Sequence, residues 1–209
     1  MKVKEMVLGA AATNTYLVFD EESRKGFVID PADKPDEISR EIQRQDFLPE
    51  AILLTHGHFD HIMAADALRV KYQIPVYAGS NETELLKDPD ANLTGSWMGS
   101  PYMLVPDISL SDGRECTIAG FLIRTLFTPG HTAGSVCFYM PEEKVLFSGD
   151  TLFEQSYGRT DLITGSFAQL RDSIRNVLFL LPEEVLVYPG HGALTDIGWE
   201  KLHNPIIAG

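Results

Sequence analysis

Only two cysteines occur in the 209 residues, Cys116 and Cys137. They lie far apart and form no C-x-x-C pair, so no disulfide framework is expected and both read as small buried hydrophobes. That usage fits a reducing cytoplasm. Basic residues are scarce too: 17 Lys and Arg against 30 Asp and Glu leave a net charge of −13. Without a basic cluster such a chain repels a phosphate backbone, so no nucleic-acid partner is expected and the charge reads as plain solubility. No apolar run reaches the length of a membrane span. The first twelve residues place Lys2 and Lys4 ahead of an apolar patch. Glu5 interrupts that basic part and residues 13–19 read as a strand arm, so a signal peptide is not expected. Linkers, low-complexity segments and long-period repeats are also missing, which leaves one domain over 1–209. A chain of this length buries roughly 70% or more of its unfolded surface, so it needs no staple.

β-branched and aromatic runs predict strands at 3–8, 15–19 and 26–29. A helix follows from Pro35, carried by Ile38 and Ile42, and ends before Pro49. Residues 51–54 form a short apolar strand, and Ile62, Ala65, Leu68 and Tyr72 predict a helix from about Asp60. A strand at 74–77 and a short helix at 81–87 precede a loop at 88–103. Further strands are predicted at 115–118, 121–127, 135–139, 144–147 and 184–188. Ser166 and Gln169 cap an amphipathic helix running through Phe167, Leu170, Ile174, Val177 and Leu181. Each half is β-rich and punctuated by helices, which argues for two sheets covered by helices, a layered α/β sandwich, rather than a doubly wound sheet.

Histidine is scarcer than basic charge, six residues in all, yet "THGHFDH" at 55–61 holds three of them and an aspartate. His56 and His58 are two apart, and extended backbone turns both rings to the same side, towards one ion. Asp60 and His61 lie past the bend into the helix and suit a neighbouring second ion. Three more apolar strands end in small-residue loops, at "TPGH" with His131, "SGD" with Asp150 and "PGH" with His191. Rigid sheets commonly present functional groups on such loops. Five imidazoles and two carboxylates fill two four-coordinate sites if one carboxylate is shared, Asp150 being the natural bridge, and a solvent oxygen completes each. Two divalent ions with a bridging hydroxide then leave a centre of about +1, which polarises a carbonyl or phosphoryl oxygen and acidifies water without a serine or cysteine nucleophile. His203 lies outside any such loop and reads as a surface or capping residue.

This set of residues resembles the metallo-β-lactamase fold superfamily, whose H-x-H-x-D-H signature stands here as His56, His58, Asp60 and His61, with later ligands matching His131, Asp150 and His191. "NTYLV" at 14–18 and "IDP" at 29–31 resemble its opening strands. The resemblance implies a four-layer αββα fold, one metal on His56, His58 and His131, a second on Asp60, His61 and His191, and Asp150 as the bridge. "SYGRTDLITGS" at 156–166, "PGHG" at 189–192 and "EKLHNP" at 200–205 look closest to short, single-domain glyoxalase II-like hydrolases. That implies a small thioester substrate such as a hydroxyacyl-glutathione, attacked by the bridging hydroxide, with Asp60 orienting it or handling a proton. Only 18 residues follow His191, so the helical glutathione-binding domain of full glyoxalase II has no counterpart. β-Lactamases of the main zinc class carry Arg and Cys where His61 and Asp150 stand, which disfavours antibiotic hydrolysis. Persulfide dioxygenases share the loop and a "GRTD"-like segment, and on that alternative a single iron sits on His56, His131 and Asp150. A non-catalytic metal-binding module is the third reading, against which stands the absence of cysteine among the ligands. Zinc is the expected metal, though nitrogen and oxygen ligands also accept iron, manganese, cobalt or nickel. Arg159 and Asp161 read either as an anionic-substrate anchor or as a pair pinning their loop. Trp97, Met98, Tyr102 and Met103 read as a pocket roof, a dimer contact or plain packing, so monomer and homodimer both stay open.

Overall fold

The structure, a computed structural model, describes residues 1–207. Along the first half run β1 (Lys2–Leu8), β2 (Thr13–Phe19), β3 (Lys25–Ile29), α1 (Pro35–Gln45), β4 (Leu48–Leu54), α2 (Phe59–Ile62), α3 (Ala65–Tyr72), β5 (Val76–Gly79), α4 (Thr83–Lys87) and β6 (Ile108–Leu110). The second half adds β7 (Glu115–Ile118), β8 (Phe121–Phe127), β9 (Val136–Met140), β10 (Val145–Gly149), β11 (Leu152–Phe153), β12 (Ser156–Tyr157), α5 (Phe167–Asn176), β13 (Leu186–Pro189), β14 (Thr195–Asp196) and α6 (Ile197–His203). The first six strands make one sheet in sequence order, and the second sheet has the order β14-β13-β10-β9-β8-β7.

The strands are apolar on both faces, and alternation sends their side chains into different cores. Leu17, Val28, Ile52 and Leu54 face a core shared with Ile38, Ile42, Ile62 and Leu68 of the helices. Their neighbours Tyr16, Val18, Phe27, Ile29 and Leu53 pack between the sheets against Ile123, Val136, Phe138, Val145 and Phe147. On the far side, Cys137, Tyr139 and Leu146 meet Leu170, Ile174 and Ile197. Three cores between four layers are the αββα sandwich. Among the described residues no helix is long and apolar enough to cross a membrane.

Three local expectations need correction. The helix predicted from about Asp60 to Tyr72 is broken at Met63 and Ala64, because the Ala64 N–H donates to the Pro31 carbonyl (3.0 Å) instead of continuing the helical ladder. The helix from Phe167 stops at Asn176, and Leu178–Leu180 is a separate 3₁₀ turn. Within the predicted loop 88–103, Thr94–Met98 forms one π-helical turn, flanked by left-handed Leu93 and Gly99. The short strands β6, β11, β12 and β14 and the helix α6 are not among the elements expected from the sequence.

Candidate metal centre

β8, β10 and β13 run in the same direction, since β8 and β10 each pair antiparallel with β9 and β10 pairs parallel with β13. Their C-terminal ends therefore share one edge of the sheet, and the loops bearing His131, Asp150 and His191 leave from it. The loop after β4 brings the 56–61 stretch to meet them. The β10–β13 register shifts between Phe147 and Gly149, just before Asp150. Gly190 must be glycine here: a Cβ would stand 2.3 Å from Asp150 Oδ1 and 2.8 Å from the His61 ring.

All seven predicted side chains converge. Potential ligand atoms of His56, His58 and His131 lie within 4.8 Å of one another, as do those of Asp60, His61 and His191. A third such group joins His56 and His61 to Asp150, so Asp150 stands between the first two. Its carboxylate is 3.4 Å from His61 Nε2, 3.5 Å from His131 Nε2 and 3.6 Å from His191 Nε2. His191 Nε2 lies 3.2 Å from Asp60 Oδ2.

Nitrogens on the outer side of the cluster orient the rings. His131 Nδ1–H donates to the Arg159 carbonyl (2.8 Å), which leaves its lone pair on Nε2. His61 Nδ1 meets Asp30 Oδ2 at 2.9 Å, and Asp30 also accepts the Thr55 N–H and hydroxyl. Thr13 donates its hydroxyl to Asp60 Oδ2 at 2.8 Å. Asn14 reaches the Pro189 and Gly192 carbonyls and Tyr16 the Pro189 carbonyl, holding the His191 loop. On the inner side, Nε2 of His56 and His61 and Oδ1 of Asp150 are buried without a hydrogen-bond partner. His58 Nδ1 faces His131 Nε2 at 2.8 Å, where the alternative to one shared proton is one shared cation. Orphaned buried donors and acceptors are costly, so this donor set fits divalent metal.

Without metal the cluster divides by charge. Burial, aided by the neighbouring imidazoles, holds His56 far below the ordinary histidine range and His58 down to about 3. Burial also opposes a charged His61, but Asp60, Asp150 and Asp30 outweigh it and raise that ring well above the usual value. His191 likewise overcomes burial through Asp150 and Asp60 and rises to about 9. Asp60, despite burial, is drawn down to about 2 by His61, His191 and Thr13. Metal must therefore displace protons from His61 and His191 but not from His56 or His58. Zinc affinity of the metal-free chain is expected to rise as pH increases from 6.5 towards about 9, with net proton release. Calorimetric titration in buffers of different ionisation enthalpy measures it. A pH-independent affinity contradicts the assignment.

Arg159 pairs bidentately with Asp161, Nε to Oδ1 at 2.7 Å and Nη2 to Oδ2 at 2.8 Å, as the loop-pinning reading expects. It also lines a cavity of about 160 Å³ with Phe59, Leu93, Trp97, Leu162 and five of the seven ligand candidates, His58, Asp60, His131, Asp150 and His191. Trp97 stacks on Phe59 at 5.8 Å and is among the residues that line this cavity. Met98 and Met103 are exposed, while Tyr102 packs against the first core. His203 stacks on Trp199 at the end of α6, away from the cluster. Asp30, Thr13, Asn14 and the Arg159 carbonyl were not singled out for their roles in the sequence. Asp30 ends an apolar strand as Asp150 does and lies in the "IDP" stretch that resembles the family's opening strands, the two signals that pointed to it.

A family model for the metallo-β-lactamase superfamily matches residues 8–191. A probable metallo-hydrolase of Bacillus subtilis, YqgX, is 40% identical over 100% of this chain and 99% of its own length. Hydroxyacylglutathione hydrolase GloC of Haemophilus influenzae is 33% identical over 99% of this chain and 98% of its own. Among solved structures, BLEG-1 B3 metallo-β-lactamase superposes with a TM-score of 0.94 at 41% identity, covering 100% of both chains. TTHA1623, in a di-iron-bound form, gives 0.86 at 37% identity over 97% of this chain and 99% of that one.

Proposed function

The chain belongs to the metallo-β-lactamase superfamily, and on that footing we propose that it is a metal-dependent hydrolase of a small thioester of the hydroxyacyl-glutathione kind, working with two divalent ions. The observation that carries this reading is the convergence of seven side chains of metal-ligand type around buried His56 Nε2, which has no hydrogen-bond partner, and around His61 Nε2 and Asp150 Oδ1, 3.4 Å apart and without a hydrogen bond of good geometry. His56, His58 and His131 would hold one ion, Asp60, His61 and His191 the other, with Asp150 between them. When bound, such ions supply a water acidified to a pKa of roughly 7 and a Lewis acid for the carbonyl oxygen. The chain's own groups do the rest. Asp60, anchored by Thr13, is placed to orient the attacking water, and Phe59 with Trp97 gives the cavity an apolar wall. Arg159 supplies a positive charge at the mouth, tempered by Asp161. GloC supports the thioester by its name and full-length likeness. Cytoplasmic location is part of the proposal, supported by the two free thiols.

BLEG-1 favours a second reading, a β-lactam substrate, although His61 and Asp150 differ from the main zinc class. The di-iron form of TTHA1623 keeps iron beside zinc as the metal. Protein purified without added metal, analysed for elemental content and assayed with glutathione thioesters, a chromogenic cephalosporin and glutathione persulfide, separates these. The expected result is thioester hydrolysis at least about a hundredfold above the cephalosporin in kcat/KM. A dominant cephalosporin rate, or oxygen uptake on persulfide with one iron per chain, overturns the proposal.

A further inference from the structure

Glu82 ends the 3₁₀ turn Ser80–Glu82 and is 1% exposed, yet it touches no part of the proposed reaction. Its Oε1 accepts the Gly57 N–H at 2.8 Å, and its Oε2 accepts the Thr132 hydroxyl at 2.9 Å. The Gly134 N–H also donates to the carboxyl. Gly57 sits between His56 and His58, and Thr132 follows His131. One buried carboxyl thus ties together the two loops that carry the three imidazoles of the first group. Both loops are pressed onto the 80–87 segment: a Cβ on Gly57 would meet Leu85 and Leu86 at 2.8 Å, and one on Gly134 would meet Glu82 N at 2.2 Å.

All three partners are donors, and among the described residues no Lys, Arg or His forms an ion pair with Glu82. Burial raises its pKa to about 7, opposed only by these hydrogen bonds. A carboxylate is a costly group to leave there for packing alone. It is also the side chain suited to the task, because it accepts at both oxygens, whereas an amide would turn an N–H towards another donor.

We infer that Glu82 is a positioning residue for the His56, His58 and His131 group: by clamping the Gly57 amide to the Thr132 hydroxyl and Gly134 amide it sets how tightly that group binds its ion, without touching the ion. The inference rests on the two-ion reading. It differs from a role in general stability because Glu82 holds residues next to His56, His58 and His131, and among the hydrogen bonds described none joins it to Asp60, His61 or His191 or to a residue adjacent to them.

The test uses full-length protein with a single group left intact. His191→Ala leaves the first group, and His58→Ala leaves the second. Zinc affinity is measured by competition with a chromogenic chelator, with and without Glu82→Gln. In the His191→Ala background Glu82→Gln should weaken zinc binding by roughly 10–100-fold, and in the His58→Ala background by less than about threefold. Should Glu82→Gln not fold, Thr132→Val removes one of the three donors and should give a smaller loss confined to the same background. Equal losses in both backgrounds, or none in either, overturn the inference alone. Fewer than two ions on the otherwise unmodified chain overturn the two-ion reading and this inference with it.

Discussion

Replacing Asp150 with Ala is expected to lower kcat/KM for the best thioester by at least about 10⁴-fold, close to 5.5 kcal/mol of transition-state stabilisation. The same change should take bound metal below one ion per chain. Asp150 is the side chain that stands between the two ligand groups, with His61, His131 and His191 all within 3.4–3.6 Å of its oxygens. Without it the first group keeps three imidazoles but no anion, and the second keeps Asp60 as its only anion. On the two-ion proposal, two nearby divalent charges would then lack the shared carboxylate that offsets their repulsion. His61 also loses one of the three carboxylates that keep it charged in the metal-free state. Asp150→Asn separates charge from shape: it preserves volume beside Gly190, where space is tight, and should still lose most of the activity. Kinetics and elemental analysis on one preparation check both numbers, and an Asp150→Ala protein retaining two ions and a tenth of the activity contradicts the bridging role.

Stripping the metal is expected to lower the melting temperature by roughly 8–16 °C for each ion removed. An ion present at about 1,000 times its Kd stabilises the fold by about 4.1 kcal/mol, and each kcal/mol moves Tm by roughly 2–4 °C in a chain of this size. The pH profile of the metal-free chain has a definite sign. His58 is held at about 3 in the fold but titrates near 6.5 when unfolded, so the unfolded chain binds the extra proton and stability falls as pH drops below about 6.5. His191, raised to about 9, contributes stability that is full below about 6.5 and is lost as pH rises through 9. His56 adds to the first effect and His61 to the second. The metal-free chain should therefore be most stable near pH 6.5, while the loaded chain stays flat from there towards pH 9. Differential scanning calorimetry across pH 5–9, with and without chelator, measures the difference, and identical curves would mean that the cluster holds no metal.

Much of the site was legible because ligand chemistry uses few residue types. With only six histidines, their placement at the ends of apolar strands was enough to single out five, and the structure brings those five together with Asp60 and Asp150. The layer order was legible for a related reason: strands such as β2 and β4 are apolar on both faces, which only a doubly covered sheet satisfies. Local breaks were not. The interruption at Ala64 depends on Pro31, 33 positions away, accepting its N–H, and no periodicity within 60–72 reports that. The three-residue β6 exists because β5 offers it an edge, not through its own pattern. Supporting residues were hidden for the same reason. Asp30, Thr13 and Glu82 act through partners 31, 47 and 25 positions distant, and none carries a ligand-type spacing of its own.

Titrating the metal-free chain with zinc while following hydrolysis of a hydroxyacyl-glutathione thioester joins the geometry of the seven side chains to chemistry in one measurement. No turnover before metal is added, activity rising with zinc, and binding that saturates at two ions per chain are the expected results. Turnover at full rate by the metal-free chain, or two bound ions with no thioester hydrolysis, would contradict them.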